Sequence, residues 1–82
     1  MSADAALNAG HTATVDSNIK IGGNKLDIWG TLHLTESSDK GRVILGGERQ
    51  QKNGELYIHN GGEIWFSQVG GRDISLDSIS SV

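Results

Sequence analysis

Short runs of alternating apolar residues constrain the fold of this chain more than any other feature. From residue 12 onward, apolar-x-apolar segments recur between breaks of Gly, Asn, Asp and Ser. Their centres are TATV at 12–15, IKI at 19–21, LDI at 26–28, LHL at 32–34, VIL at 43–45, LYI at 56–58, IWF at 64–66 and ISL at 74–76. Alternation with a period of two is typical of β-strands, and no window has helical spacing. The pattern predicts a single all-β domain over residues 12–82.

Pairs of glycines separate many of these segments, at 22–23, 46–47, 61–62 and 70–71. Their intervals of 24, 15 and 9 residues have no fixed period, so they do not predict a solenoid. Short strands joined by glycine-rich turns favour antiparallel hairpins instead. The absence of proline agrees with extensive strand pairing, because proline cannot donate to a sheet ladder.

The stretch LYIHNGGEIWF, residues 56–66, is the strongest hairpin candidate. A three-residue loop, Asn60-Gly61-Gly62, offers a glycine for the left-handed position that such loops require. With that loop, Ile58 lies opposite Ile64 and Leu56 opposite Phe66. The same register places Tyr57 opposite Trp65 and His59 opposite Glu63. The prediction is one aliphatic face and one aromatic face.

The stretch from residue 26 to residue 34 sorts in the same way. Its even positions are aliphatic apart from Gly30, which could mark a bulge, and its odd positions include Trp29 and His33. The predicted core is therefore Leu26, Ile28, Leu32, Leu34, Leu56, Ile58, Ile64 and Phe66. The opposite face carries the predicted interface or ligand-contact residues, which are Trp29, His33, Tyr57, His59 and Trp65.

This second face has three interpretations: a contact between subunits, a platform for sugar rings, or a second core within the chain. A chain of 82 residues is short for two cores, and its stability as a monomer is expected to be marginal. Without cysteine it cannot form a disulfide, and its three histidines have no metal-site spacing, so no metal or cofactor is predicted. Association with other copies is the remaining way to gain stability, which favours the subunit contact.

Several other classes of function are disfavoured. A net charge of −3 with interspersed signs argues against nucleic-acid binding. No apolar run approaches the roughly 20 residues of a membrane span, and the first ten residues lack the features of a secretory signal. No residue pattern matches a nucleophile elbow or a phosphate loop, so no enzyme activity is predicted. Residues 1–11, small and polar, are expected to be a flexible arm that orders against a neighbour.

The segments IKIGG, VILGG and YIHNGGEIWF, together with the abundant Gly, Ser and Asn and the absence of Cys and Pro, resemble bacteriophage tail fibres and tailspikes. The resemblance implies an intertwined homotrimeric β-structure in which each chain alone lacks a core. It also implies a location in the virion tail, other virion proteins as partners and, for host attachment, a surface glycan. The terminal DISLDSISSV is expected to be a strand that continues or pairs with a partner.

Two alternatives belong to other classes. One is a small monomeric β-sandwich that binds carbohydrate through the same aromatic residues. The other is a fragment of a bacterial cell-surface adhesin, which would have a similar repeat-like composition.

Overall fold

The computed structural model describes residues 1–36, 41–68 and 79–80, and these contain strands but no helix. The strands are β1 (Ala5–Leu7), β2 (Thr12–Val15), β3 (Ile19–Lys20), β4 (Lys25–Ile28), β5 (Thr31–Glu36), β6 (Val43–Ile44), β7 (Glu55–Ile58), β8 (Glu63–Gln68) and β9 (Ile79–Ser80). The all-β prediction is confirmed. The predicted strand centre at 74–76, the Gly70-Gly71 break and most of the terminal DISLDSISSV stretch lie outside the described residues.

The strands form three sheets in which every pairing is parallel. The sheet orders are β1-β4-β7, β2-β5-β8 and β3-β6-β9. Strands that follow each other in the chain lie in different sheets, and each sheet receives one strand from every circuit. This is the topology of a three-sided parallel β-solenoid. We call each circuit a rung: the first is β1–β3, the second β4–β6 and the third β7–β9.

The predicted antiparallel hairpins are therefore wrong, and the solenoid is not predicted from the spacing of the glycine pairs. β7 and β8 do not pair with each other, because β7 pairs with β4 and β8 pairs with β5. The Asn-Gly-Gly sequence is part of a corner between two sheets. The alternative of a β-sandwich is also wrong, because its two facing antiparallel sheets are replaced by three parallel sheets around one interior.

The stretch from residue 26 to residue 34 contains a corner as well. It is divided at Trp29 and Gly30 into β4 and β5, which belong to different sheets. Two residues form this corner and four form the corresponding corner of the third rung, from His59 to Gly62. Both lengths are even, so the alternation of inward and outward side chains continues across each corner.

The interior is filled by side chains from all three rungs. The buried hydrophobic residues of the described part of the chain are Ile21, Leu26, Ile28, Leu32, Leu34 and Val43. Partly buried residues packed against them are Met1, Leu7, Ala13, Val15, Ile19, Leu45, Leu56, Ile64 and Phe66. Most buried residues belong to the second rung because it has a neighbour on both sides. The chain alone thus contains a core, contrary to what the phage-fibre resemblance implied.

Two predicted regions, one in the first rung and one in the third, differ from expectation. Ile58, predicted to be core, is 52% exposed, whereas its register partner Ile28 is 1% exposed. Ile58 lies in the third rung, and among the described strands its own strand pairs on one side only. Residues 1–11, expected to be an arm, contain β1, whose pairing with β4 is extended by the 2.8 Å bond from the Trp29 amide to the Leu7 carbonyl.

No helix in the described part of the chain is long and apolar enough to cross a membrane.

Candidate interaction surface

The predicted contact residues lie on the outer faces of two neighbouring sheets and at the corner between them. In β4 and β7 the inward residues alternate with Asp27 and Tyr57, which are register partners on the outer face of the first sheet. In β5 and β8 the outward register partners are His33 and Trp65. A parallel ladder stacks equivalent positions of successive rungs, so side chains far apart in sequence become vertical neighbours.

The first group lies at the corner beside the first sheet, and we call it the corner cluster: Asp27, Trp29, Tyr57 and His59. The rings of Trp29 and His59 stack with their centroids 3.6 Å apart and an interplanar angle of 3°. The His59 Nε2 donates a hydrogen bond to Asp27 Oδ1 at 2.6 Å. The ring centroids of Tyr57 and His59 are 6.4 Å apart. These contacts hold the imidazole in one orientation between a carboxylate and an indole.

Trp29 and His59 meet because they occupy equivalent positions. Ile28 and Ile58 are register partners, and each is followed by the first residue of its corner. The backbone is anchored there by the His59 amide, which donates to the Ile28 carbonyl at 2.9 Å. The stack therefore follows from the backbone register and needs no long loop to form.

The Tyr57 phenol lies close to acidic groups. The carboxylate of Glu55 raises the pKa of Tyr57 above its usual value of 10.0, chiefly by Coulombic repulsion of the phenolate. Desolvation and a hydrogen bond with Glu55 act in the same direction, and Lys25 opposes them. The phenol therefore remains a neutral hydrogen-bond donor throughout the neutral pH range.

The second group lies on the outer face of the β2-β5-β8 sheet, and we call it the flat-face cluster: His33, Glu63, Trp65 and Ser67. The Trp65 indole N–H donates to Glu63 Oε2 at 2.7 Å, which orients the ring along its own strand. His33 Nε2 and Ser67 Oγ share a hydrogen bond between β5 and β8. Trp65 remains 60% exposed, the largest value among the exposed large hydrophobic residues that the structure describes.

The structure thus distributes the five predicted contact residues between two outer faces. Trp29, Tyr57 and His59 belong to the corner cluster, while His33 and Trp65 belong to the flat-face cluster. The predicted pairs Tyr57–Trp65 and His59–Glu63 do not form, because β7 and β8 lie in different sheets. The predicted single aromatic face is in fact two faces that meet at a corner.

Three polar partners are missing from the sequence prediction: Asp27, Glu63 and Ser67. Alternation identifies Asp27 only as an outward residue, and the hairpin register places Glu63 opposite His59. The Asp27–His59 and His33–Ser67 contacts connect residues 32 and 34 positions apart. Only the register between rungs brings these residues together. An alignment of the sequence of one rung with that of the next could have identified the contacts.

The clusters offer aromatic rings, carboxylates and imidazoles, a chemistry suited to contact and hydrogen bonding. Among the described residues, no group of three or more His, Asp or Glu side chains could hold a metal ion. Trp29 at 45% and Tyr57 at 43% exposure join Trp65 in presenting aromatic area to the outside. Comparison with protein-family models, with curated proteins and with solved structures found no match to this chain.

Proposed function

We propose that this chain is a non-enzymatic structural and adhesive module that assembles with copies of itself, as a homotrimer, through its corner and flat-face clusters. The observation that carries the proposal is the position of its largest aromatic side chains. The chain has two tryptophans and one tyrosine, and all three are among its exposed large hydrophobic residues. Isolated exposed apolar residues are ordinary, but tryptophan and tyrosine are enriched in buried protein contacts.

The arrangement of the clusters favours a ring over a two-fold dimer. A two-fold dimer uses one patch that contacts itself, whereas a closed ring uses two different patches on each subunit. The corner cluster and the flat-face cluster are two such patches on adjacent sides of one corner. If the flat face of one chain packs on the corner cluster of the next, each chain contacts two neighbours and buries both sets of aromatic rings.

The size of the solenoid also favours the use of both faces. In the described part of the chain each face is three strands wide, which is roughly 10–15 Å at the spacing of neighbouring strands. Stable interfaces commonly bury about 800 Å² on each partner, more than one such narrow face readily supplies. Contact through two faces increases the buried area of each chain without requiring a longer solenoid.

The proposed location is a phage tail fibre, a tailspike or a baseplate attachment, with other virion proteins as partners. This part of the proposal rests on the resemblance in sequence style described above. A stiff parallel solenoid with contact residues on its outer faces is compatible with a mechanical role. Such a module would transmit force along its ladders of hydrogen bonds and would need no catalytic group.

Light scattering coupled to size-exclusion chromatography tests the assembly. The proposal predicts a mass of about three chains of 8.7 kDa. Trp65→Ala and Tyr57→Ala remove one ring from each cluster, and each should shift the mass towards one chain. Ile58→Ala is the matched control, because Ile58 is exposed in the third rung and lies outside both clusters. A wild-type chain that remains a monomer over the accessible concentration range would overturn the proposal.

A second candidate function is carbohydrate binding on the flat face. The specific observation is that Trp65 presents its ring beside hydrogen-bonding groups, namely the Glu63 carboxylate and the His33–Ser67 pair. Sugars offer apolar ring faces and hydroxyl groups, which such a surface could meet together. The distinguishing result is a Trp65→Ala variant that keeps the wild-type mass but loses retention on an immobilised polysaccharide, with Trp29→Ala as the control.

A further inference from the structure

The first rung differs from the second and third rungs at one corner position. Each residue that precedes a strand of the β2-β5-β8 sheet lies at the same place in its rung, and together they form a column. From the register of the following strands, this column is His11, Gly30 and Gly62. The second and third rungs have glycine there, and the first rung has a side chain.

The two glycines are required because each rests on the backbone of the rung before it. A Cβ atom added to Gly30 would lie 2.3 Å from the His11 carbonyl oxygen and 2.4 Å from that of Asn8. A Cβ atom added to Gly62 would lie 2.2 Å from the Ile28 carbonyl oxygen. Real Cβ atoms essentially never come this close to a backbone atom, so a rung that stacks on another must lack a side chain at this position.

The third rung has an edge that could receive another rung. The amides of Glu55 and His59 donate to β4 and its neighbouring residues at 3.0 Å and 2.9 Å. Because a parallel ladder uses alternate residues of a strand on each side, the backbone groups of Leu56 and Ile58 point to the other edge. Among the described residues no strand pairs with that edge. Open edges of this kind are templates for strand addition.

The first rung of a second copy would be a close match to that edge. The first-rung corner from Asn8 to His11 and the third-rung corner from His59 to Gly62 are both four residues long. In each corner, the amide of the fourth residue donates a hydrogen bond to the carbonyl of the first residue, at 3.1 Å in the first rung and 2.8 Å in the third. In each, the third residue is a glycine with positive φ, 81° for Gly10 and 89° for Gly61.

We propose that His11 prevents this stacking. Its Cβ occupies the column position at which a rung that rests on another must have none. A second copy placed on the third rung in register would bring its His11 Cβ against backbone carbonyl oxygens, just as a Cβ added to Gly30 or Gly62 would meet them. His11 thus acts as a stop against the head-to-tail addition of a second copy at the third-rung edge, independently of contacts through the outer faces.

The test compares His11→Gly with His11→Ala. Glycine removes the Cβ atom, whereas alanine removes only the imidazole and keeps the obstacle. In sedimentation velocity, His11→Gly should form species whose mass grows with concentration, at least about twofold above wild type, as an open head-to-tail contact requires. His11→Ala should match wild type. Adding Ile58→Lys to the His11→Gly variant should reverse the growth, because it places a charge on the receiving edge.

Two results would overturn the proposal. One is a His11→Gly variant that has the wild-type mass at every concentration while its thermal unfolding and far-ultraviolet circular dichroism remain those of a folded chain. The other is growth of His11→Ala equal to that of His11→Gly, which would assign the effect to the imidazole. A defined trimer produced by the outer faces differs from this growth, because its mass reaches a limit.

Discussion

Gly30→Ala separates the solenoid from a continuous strand over residues 26–34, because the two arrangements predict effects of opposite sign. In a continuous strand, alanine in place of glycine should stabilise the fold by about 0.5–1 kcal/mol, since glycine is entropically costly there. In the solenoid, the new Cβ lies about 1 Å inside ordinary van der Waals contact with the carbonyl oxygens of His11 and Asn8.

The cost in the solenoid follows from the atoms that must move. Overpacking of this kind costs about 1–3 kcal/mol. The displaced corner would also weaken the hydrogen bond from the Thr31 amide to the His11 carbonyl, which is 2.9 Å long. Weakening this bond adds a cost of about 0.5–1.5 kcal/mol. Gly30→Ala should therefore lower the free energy of unfolding by about 2–4 kcal/mol, which corresponds to about 10–30 °C in Tm for a domain of this size.

Urea unfolding followed by far-ultraviolet circular dichroism measures this free energy, with thermal unfolding as a second readout. Gly61→Ala provides the control, because no described atom lies within 4 Å of its added Cβ, although its φ is 89°. Its cost should be that of a left-handed alanine, about 1–2 kcal/mol. A neutral or stabilising Gly30→Ala would refute the close approach of the rungs at this corner.

Two further predictions concern the core and the corner cluster. Leu34→Ala, at a fully buried site, should cost about 2–5 kcal/mol in urea unfolding, whereas Ile58→Ala should cost well under half as much; equal costs would contradict the difference in burial. Tyr57 is the single tyrosine, so absorbance at alkaline pH reports its ionisation, which should have a midpoint above 10.0 that falls in Glu55→Gln. Because its pKa is raised on folding, the contribution of Tyr57 to stability is complete below the unfolded pKa and declines as the pH rises through the folded one. A midpoint that is unchanged in Glu55→Gln would remove Glu55 as the cause.

The alternation in the sequence predicts which side chains face inward but not which strands are partners. Leu26, Ile28, Leu32 and Leu34 are predicted to share one face, and all four are buried. An even-length corner and a three-residue hairpin loop both keep the aliphatic positions on one side. The alternation of inward and outward residues therefore cannot distinguish a parallel solenoid from an antiparallel hairpin.

The repeat is hidden because the rungs differ in length. Ala5, Leu26 and Leu56 are register partners, and they are 21 and 30 residues apart. The glycine pairs have no period because they do not mark one corner: Gly22-Gly23 precede a first-sheet strand, whereas Gly61-Gly62 follow one. Alignment of KLDIWGTLHL with ELYIHNGGEIWF, allowing two extra residues at the corner, reveals the similarity of two rungs.

The residue types of the candidate site could be predicted, but its geometry could not. Outward Trp, Tyr and His residues can be identified from alternation alone. Their division between two faces, and the Asp27–His59 contact, depend on the register between rungs, which single-strand patterns do not contain.

Disulfide formation in paired cysteine variants tests the parallel register most directly. The chain has no cysteine, so each pair is the only one present. Asp27 and Tyr57 are register partners, and neighbouring strands lie about 4.8 Å apart, within the Cα range of a disulfide. Asp27→Cys/Tyr57→Cys should form an intramolecular disulfide under mild oxidation, and Tyr57→Cys/Trp65→Cys should not. Efficient cross-linking of the second pair with none in the first would contradict the solenoid and the two clusters built on it.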